Sequence, residues 1–217
     1  MAQSSNSSSQ PSETVYIIDD DPLVLEAVDE VLRSRGFETQ TFESADDLFG
    51  SLGQTDTGVV VTDLQMPGMN GLEVQQEMLR RGMDLSFILL TGYADVPVTV
   101  EVMRNGAVSL VEKPFRVDHL VAEVQRGLDA SLERNRERSQ IRQAREAIAR
   151  LDDEELAVLD CAARGKANKT ISYELCLSAR TVDRRRQSAF RKLQIESVAE
   201  FAILRAVAQD PQRILSA

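Results

Sequence analysis

Apolar positions in the first half of the chain alternate between two rhythms. Short runs rich in Val, Ile, Leu, Phe and Tyr read "TVYIID", "FETQTF", "GVVVTD", "SFILLT" and "VSLVEKP". Bounded by turn residues, such runs are read as strands. Between them, apolar residues recur at helical spacing. "PLVLEAVDEVLRSRG" carries Leu23, Val24, Ala27, Val28, Val31 and Leu32 and stops at Gly36. "SADDLFGSL" opens on Ser44, a favoured cap. "GLEVQQEMLRRG" and "DVPVTVEVMRNGA" read as two more helices, each with a glycine stop. Five strands alternating with helices predict an α/β domain with a parallel, doubly wound sheet.

Sheets of this kind bind ligands outside the carboxyl ends of their strands. Asp19 and Asp20 follow the first strand and Asp63 ends the third. Thr91 follows the fourth and Lys113 the fifth. Asp63 lies in "VVVTDLQMPGMNG", where Pro-Gly and Asn-Gly open a loop at once. Four strands thus deliver polar residues to one rim.

The second half changes rhythm. From Val117 to about Leu151 there is no proline, and the only glycine is Gly127. A long helix is expected. Ile141, Ala144, Ile148 and Leu151 form a short apolar seam, open to reading as a plain connecting helix or as a pairing surface. Residues 151–208 then give four short helices. Asp152 and Glu155 are spaced as a capping box, and Ser178 is a cap before "ARTVDRRRQSAFRKL". The second and third of these helices stand in a helix-turn-helix relation. The expected organisation is a Ser-rich tail over 1–13, an α/β domain over 14–127, a helical linker over 128–150 and an all-α domain over 151–217.

Charge sharpens this division. The whole chain of 217 residues has a net charge of −10, which argues against a nucleic-acid partner. The average conceals two modules. Residues 1–127 have a net of −13 and residues 128–217 a net of +3, while 164–192 hold nine Lys/Arg against two Asp/Glu. No apolar run approaches the roughly 18 residues of a membrane span. Cys161 and Cys176 lack metal-ligand spacing, and the single His119 cannot help them. A cytoplasmic location is expected.

Asp19, Asp20 and Asp63 are hard oxygen donors that suit Mg²⁺. A carboxylate can accept a phosphoryl group covalently. Lys113 would balance charge on phosphoryl oxygens and Thr91 would donate a hydrogen bond to one. A plainer reading makes Asp20 or Asp21 a helix cap and Asp63 a turn residue. "IIDDD", "VVVTDLQMPGMNG", "LLTGYAD" and "LVEKPF", in that order, resemble the receiver domain of two-component response regulators over residues 14 to about 128. The resemblance implies Asp63 as phosphoacceptor, with Asp19, Asp20 and the Gln65 carbonyl holding Mg²⁺. It implies Thr91 as the switch hydroxyl, Lys113 as its paired lysine, and a cis peptide before Pro114. The family's switch aromatic is replaced here by Leu110. Tyr93 is a candidate for hindering hydrolytic water.

"NKTISYELCLSARTVDRRRQSAFRKL" resembles the LuxR-type helix-turn-helix of FixJ/NarL regulators over about 151–208. That resemblance, with the local basic charge, implies double-stranded DNA as partner. Lys169, Thr181, Arg184, Arg185, Arg186, Arg191 and Lys192 are the candidate contacts. Three consecutive arginines cannot share a face, since successive helical residues lie about 100° apart. The partners implied are a histidine kinase, DNA, a second copy of the chain and RNA polymerase. The leading expectation is a transcription regulator switched by phosphorylation of Asp63, and not an enzyme in its own right. The alternatives are a DNA-binding protein indifferent to phosphorylation and a phosphatase of the haloacid-dehalogenase type. The latter uses Asp-x-Asp after the first strand, which is absent here. No GxGxxG or Walker loop is present.

Overall fold

The computed structural model describes residues 13–53, 56–92 and 96–209, without the side chains of 96–98. Tyr93 and residues 1–12 of the expected tail lie outside the described residues. The chain forms two compact units, one ending at Asn135 and the other beginning at Arg136.

The first unit is the expected α/β domain. Its strands are β1 (Thr14–Ile18), β2 (Glu38–Phe42), β3 (Gly58–Asp63), β4 (Ser86–Thr91) and β5 (Ser109–Glu112). They pair in parallel in the order β2-β1-β3-β4-β5. The strands β1, β3 and β4 are buried along their whole length, as a sheet covered on both faces requires. The helices are α1 (Pro22–Ser34), α2 (Ala45–Ser51), α3 (Gly71–Arg81), α4 (Val96–Arg104) and α5 (Val117–Ile148). Period-two alternation sends Val15, Ile17, Val59, Val61, Ile88 and Leu90 to the face under α1 and α5. Tyr16, Ile18, Val60, Phe87 and Leu89 meet α2, α3 and the α4 side.

Local chemistry explains the helix starts. Asp21 caps α1 by accepting from the Leu23 amide, and Ser44 caps α2. Asn70 and Glu73 close a capping box on α3, which ends on the left-handed Gly82. One expectation for α1 is corrected. Leu25, Val28 and Leu32 are its buried residues, whereas Leu23 is 75% exposed and Ala27 is also exposed. The apolar pattern was wider than the strip a sheet can cover, and packing chose its edge.

Helix α5 runs unbroken past the end of the first unit. Leu120, Val124 and Leu128 pack on the sheet. Gly127 lets the helix come close, because a Cβ there would lie 2.7 Å from Val59 Cγ2. Ser131 is fully buried, accepts from the Gly58 amide and donates to the Asp84 carbonyl. Residues 128–131, expected in a linker, therefore belong to the packed first unit.

The second unit contains the rest of α5 with α6 (Asp153–Ala163), α7 (Asn168–Glu174), α8 (Ala179–Leu193) and α9 (Val198–Gln209). Asp152 and Glu155 form the expected capping box, and Ser178 accepts from the Thr181 amide. Phe201, Leu159, Ala189 and Leu193 make the centre. The seam residues Ala144 and Ile148 pack with Ala208, and Leu151 joins the centre, so these three are used inside the unit. Among the described residues, no helix is long and apolar enough to cross a membrane.

Candidate functional site

Strand register builds the rim. In β3–β4 pairing Asp63 lies opposite Leu90, so Thr91 emerges one residue further along. The Lys113 amide donates to the Thr91 carbonyl at 2.7 Å, which brings the end of β5 alongside. The Lys113–Pro114 peptide is cis, as the receiver resemblance implied.

The side chains converge on Lys113. Its Nζ donates to Asp19 Oδ2 at 2.8 Å and to Asp63 Oδ1 at 2.7 Å. Asp19 is 3% exposed and Asp63 9%. Burial opposes the ammonium charge, but hydrogen bonds and charge from Asp19 and Asp63 together outweigh it and raise the Lys113 pKa. The outer oxygens have partners too. Asp63 Oδ2 accepts from the Gln65 amide at 2.6 Å, and Asp19 Oδ1 from the Asp21 amide at 3.0 Å. Thr91 is buried at 2% exposure. Asp20 is exposed and lines an open cleft with Gln65, Leu64, Met66 and Asn70.

Among the described residues, no three His, Cys, Asp or Glu side chains are grouped to hold a metal ion by themselves. Mg²⁺ needs only one or two carboxylates and completes its shell with water and phosphate oxygens. Asp19 and Asp63 already share one cation, and Asp20 stands beside Gln65 at the open side. This donor set fits Mg²⁺.

Leu110 lies opposite Leu89 and is partly buried against the core under α2 and α3. It has no ring to turn, so any switch motion at this position is repacking of a branched aliphatic chain.

In the second unit the basic residues divide into two groups. Arg185 bridges Asp152 at 3.0 Å and Glu154 at 2.5 Å. Arg186 donates to Asn168 and Asp183. Lys192 pairs with Glu155, which is 1% exposed, at 2.7 Å. Lys192 is exposed as well, but Arg180, Arg184, Gln187 and Arg191 are the exposed residues that recur at three- and four-residue spacing. They form one outward face of α8. Arg180, Arg184 and Gln187 line a groove with Ser178 and Thr181. Lys169 is exposed at the start of α7. Sequence reasoning missed Arg180 and Gln187, although their spacing with Arg184 held the signal.

Glu155 has a pH consequence. Burial alone would raise its pKa, but Lys192, the Asp152 amide and Ser188 lower it below 4.5. The charged form is favoured in the fold. Its stabilisation is full above the unfolded value and is lost as pH falls through the lowered one. Glu155→Gln should cost about 1.5–3 kcal/mol at neutral pH. It should also remove part of the stability loss below pH 4.5. Urea unfolding of the full chain across pH checks both.

Comparison with known proteins agrees with this geometry. Residues 15–125 match the response regulator receiver domain family, and 149–205 match the bacterial regulatory proteins of the luxR family. The transcriptional regulatory protein FixJ of Azorhizobium caulinodans is 38% identical, over 89% of this chain and 93% of its own. The response regulator protein TmoT of Ectopseudomonas mendocina is 31% identical, over 86% and 84%. Among solved structures, the response regulator StyR has a TM-score of 0.83 and 33% identity, over 89% of this chain and 98% of its own. Full-length FixJ from B. japonicum has a TM-score of 0.55 and 30% identity, over 92% and 98%.

Proposed function

The chain belongs to the response regulators that join a receiver domain to a LuxR-type DNA-binding domain, and from that premise we propose that phosphorylation of Asp63 by a histidine kinase switches its binding to DNA. The observation that carries this reading is the Lys113 ammonium held between Asp19 and Asp63 at the open end of the sheet. A lone capping or turn carboxylate has no need of such a partner.

In this reading an Asp63 oxygen attacks phosphorus, and the bond from phosphorus to the kinase histidine nitrogen breaks. Lys113, steadied by Asp19, balances the phosphoryl charge, and the Thr91 hydroxyl donates to a phosphoryl oxygen. Asp19, Asp20, Asp63 and the Gln65 carbonyl would hold Mg²⁺. When bound, the ion offsets repulsion between the carboxylate and the anionic donor. The acyl phosphate adds charge and acceptor oxygens, and the protein shifts between pre-existing states. Incubation with Mg²⁺ and acetyl phosphate tests the proposal. One added phosphoryl mass with tighter duplex binding supports it. An added group with unchanged DNA affinity favours the alternative, a regulator indifferent to phosphorylation, for which the aliphatic Leu110 speaks.

On DNA, the exposed face of Arg180, Arg184, Gln187 and Arg191 is the face for base edges and phosphates. Thr181 borders it, and Lys169 is a further candidate contact from the start of α7. Arg185, Arg186 and Lys192 serve first as ties within the domain. Arg184→Ala should weaken duplex binding by about 1–3 kcal/mol. Lys192→Ala should lower domain stability more than DNA affinity. Titration of a labelled duplex beside urea unfolding separates the two. A second copy of the chain is the expected partner on two half-sites. Helix α9 supports this, because Ala199, Ala202, Ile203 and Ala206 share an exposed face and Ile203 is 62% exposed. RNA polymerase contact and a cytoplasmic setting follow from the role in transcription.

A further inference from the structure

Gln75 is a polar residue in an apolar place. It lies one turn into α3, is 2% exposed, and sits between the buried Val74 and Met78. Its Nε2 donates to the Val102 carbonyl of α4 at 2.9 Å. The amide must point this way, because a carbonyl can only accept. Its Oε1 is buried and meets no donor among the described residues. The Val102 carbonyl also accepts from the Ala107 amide at 3.2 Å, so it does not need Gln75. A buried amide with one end unpaired is a poor choice for stability, and leucine would fill the space without that cost. Stability therefore does not explain the residue.

Position does. Helix α3 begins at Gly71, where a Cβ would lie 2.5 Å from the Asp63 carbonyl oxygen and 2.6 Å from Leu89. The Gly71 amide donates to the Leu64 carbonyl at 3.0 Å. The start of α3 is thus packed directly on the phosphoacceptor residue, with no room for slack. One turn later Gln75 holds α4, and Gln76 adds a bond to Glu101 at 3.2 Å. Two side-chain hydrogen bonds thus join α3 to α4, and of these the Gln75 bond is the buried one. This route does not pass through Thr91 or Leu110.

We propose that Gln75 is a positioning residue that couples the state of Asp63 to α4 through α3. The inference rests on the reading of Asp63 as phosphoacceptor. A hydrogen bond suits the task better than apolar packing, because it is directional and has a distinct broken state. The unpaired Oε1 keeps the amide from being locked by a second partner. Coupling between sites requires an element with two arrangements that both sites bias.

The test compares Gln75→Leu, Gln75→Met and wild type as full chains. The probe is a duplex recovered with phosphorylated wild type from a pool with about 20 randomised base pairs, enough for two half-sites. Intact mass after acetyl phosphate and Mg²⁺ should show equal phosphorylation of all three, and urea midpoints of the variants should equal or exceed wild type. Wild type should bind more tightly when phosphorylated, by a factor in the range of about 5 to 150 expected of coupled sites. In both variants that factor should shrink to less than about twofold. Hydrogen exchange over 99–107 should be faster in the unphosphorylated variants than in unphosphorylated wild type, with α3 unchanged. A full wild-type ratio in either well-folded variant overturns the coupling role while leaving Asp63 as the switch. A wild type that takes the phosphoryl group without tightening on DNA overturns both readings together.

Discussion

Asp63→Asn should gain no phosphoryl mass from acetyl phosphate and Mg²⁺, and its DNA affinity should be the same with and without the donor. The amide has no anionic oxygen to attack phosphorus, so the loss is complete rather than graded. The fold should survive the change. Asp63 accepts two hydrogen bonds from opposite sides, one from Lys113 and one from the Gln65 amide. An asparagine has a single acceptor oxygen, so it keeps one of these and turns its NH₂ toward the other donor. That mismatch costs about 1–3 kcal/mol. Relief of the negative charge facing Asp19 offsets part of it. Intact mass, urea unfolding and duplex titration on the same samples check the prediction. A phosphoryl group on the mutant would place the acceptor elsewhere.

Lys113→Ala has the largest expected effect on stability. It leaves Asp19 and Asp63 buried without the ammonium that now bridges them. Removing one partner from a buried ion pair typically costs about 3–5 kcal/mol. Mg²⁺ should restore much of this in the variant, since the cation meets the same two carboxylates. Urea midpoints with and without Mg²⁺ should therefore differ more for Lys113→Ala than for wild type. An equal Mg²⁺ response would show that the ion does not answer the same charge. The pH dependence carries a second sign. The raised pKa of Lys113 means that its stabilisation is full below 10.5 and is lost as pH rises through the higher folded value. Wild type should weaken on that alkaline limb, and Lys113→Ala should lack that contribution.

Strands and helices were legible because each carries its own period and its own punctuation. Ser44, Asp152 and Ser178 act as the caps expected, and Asp21, one of two residues open to that role, caps α1. The rim was legible as well, because in a parallel sheet the carboxyl ends of the strands must meet on one edge. Which carboxylate oxygen faces which donor was not legible. Nor was the division of the basic helix. Arg184, Arg185 and Arg186 are identical in sequence terms, yet Arg185 and Arg186 are tied to acids on other turns and helices while Arg184 is exposed. Leu23 shares the helical spacing of its apolar neighbours, yet it is 75% exposed.

The sequence by itself determined the two-module plan, the α/β and all-α folds, the polar rim and the local concentration of basic charge. These depend on short-range periodicity, on turn chemistry and on residue type, all of which are written along the chain. Only the tertiary structure decided that Lys113 bridges Asp19 and Asp63, that Lys192 answers the buried Glu155, and that Gln75 reaches the carbonyl of Val102. Those facts join residues 94, 50, 37 and 27 positions apart. Their partners are set by strand order and helix packing, and no local pattern along the chain encodes a distance of that kind.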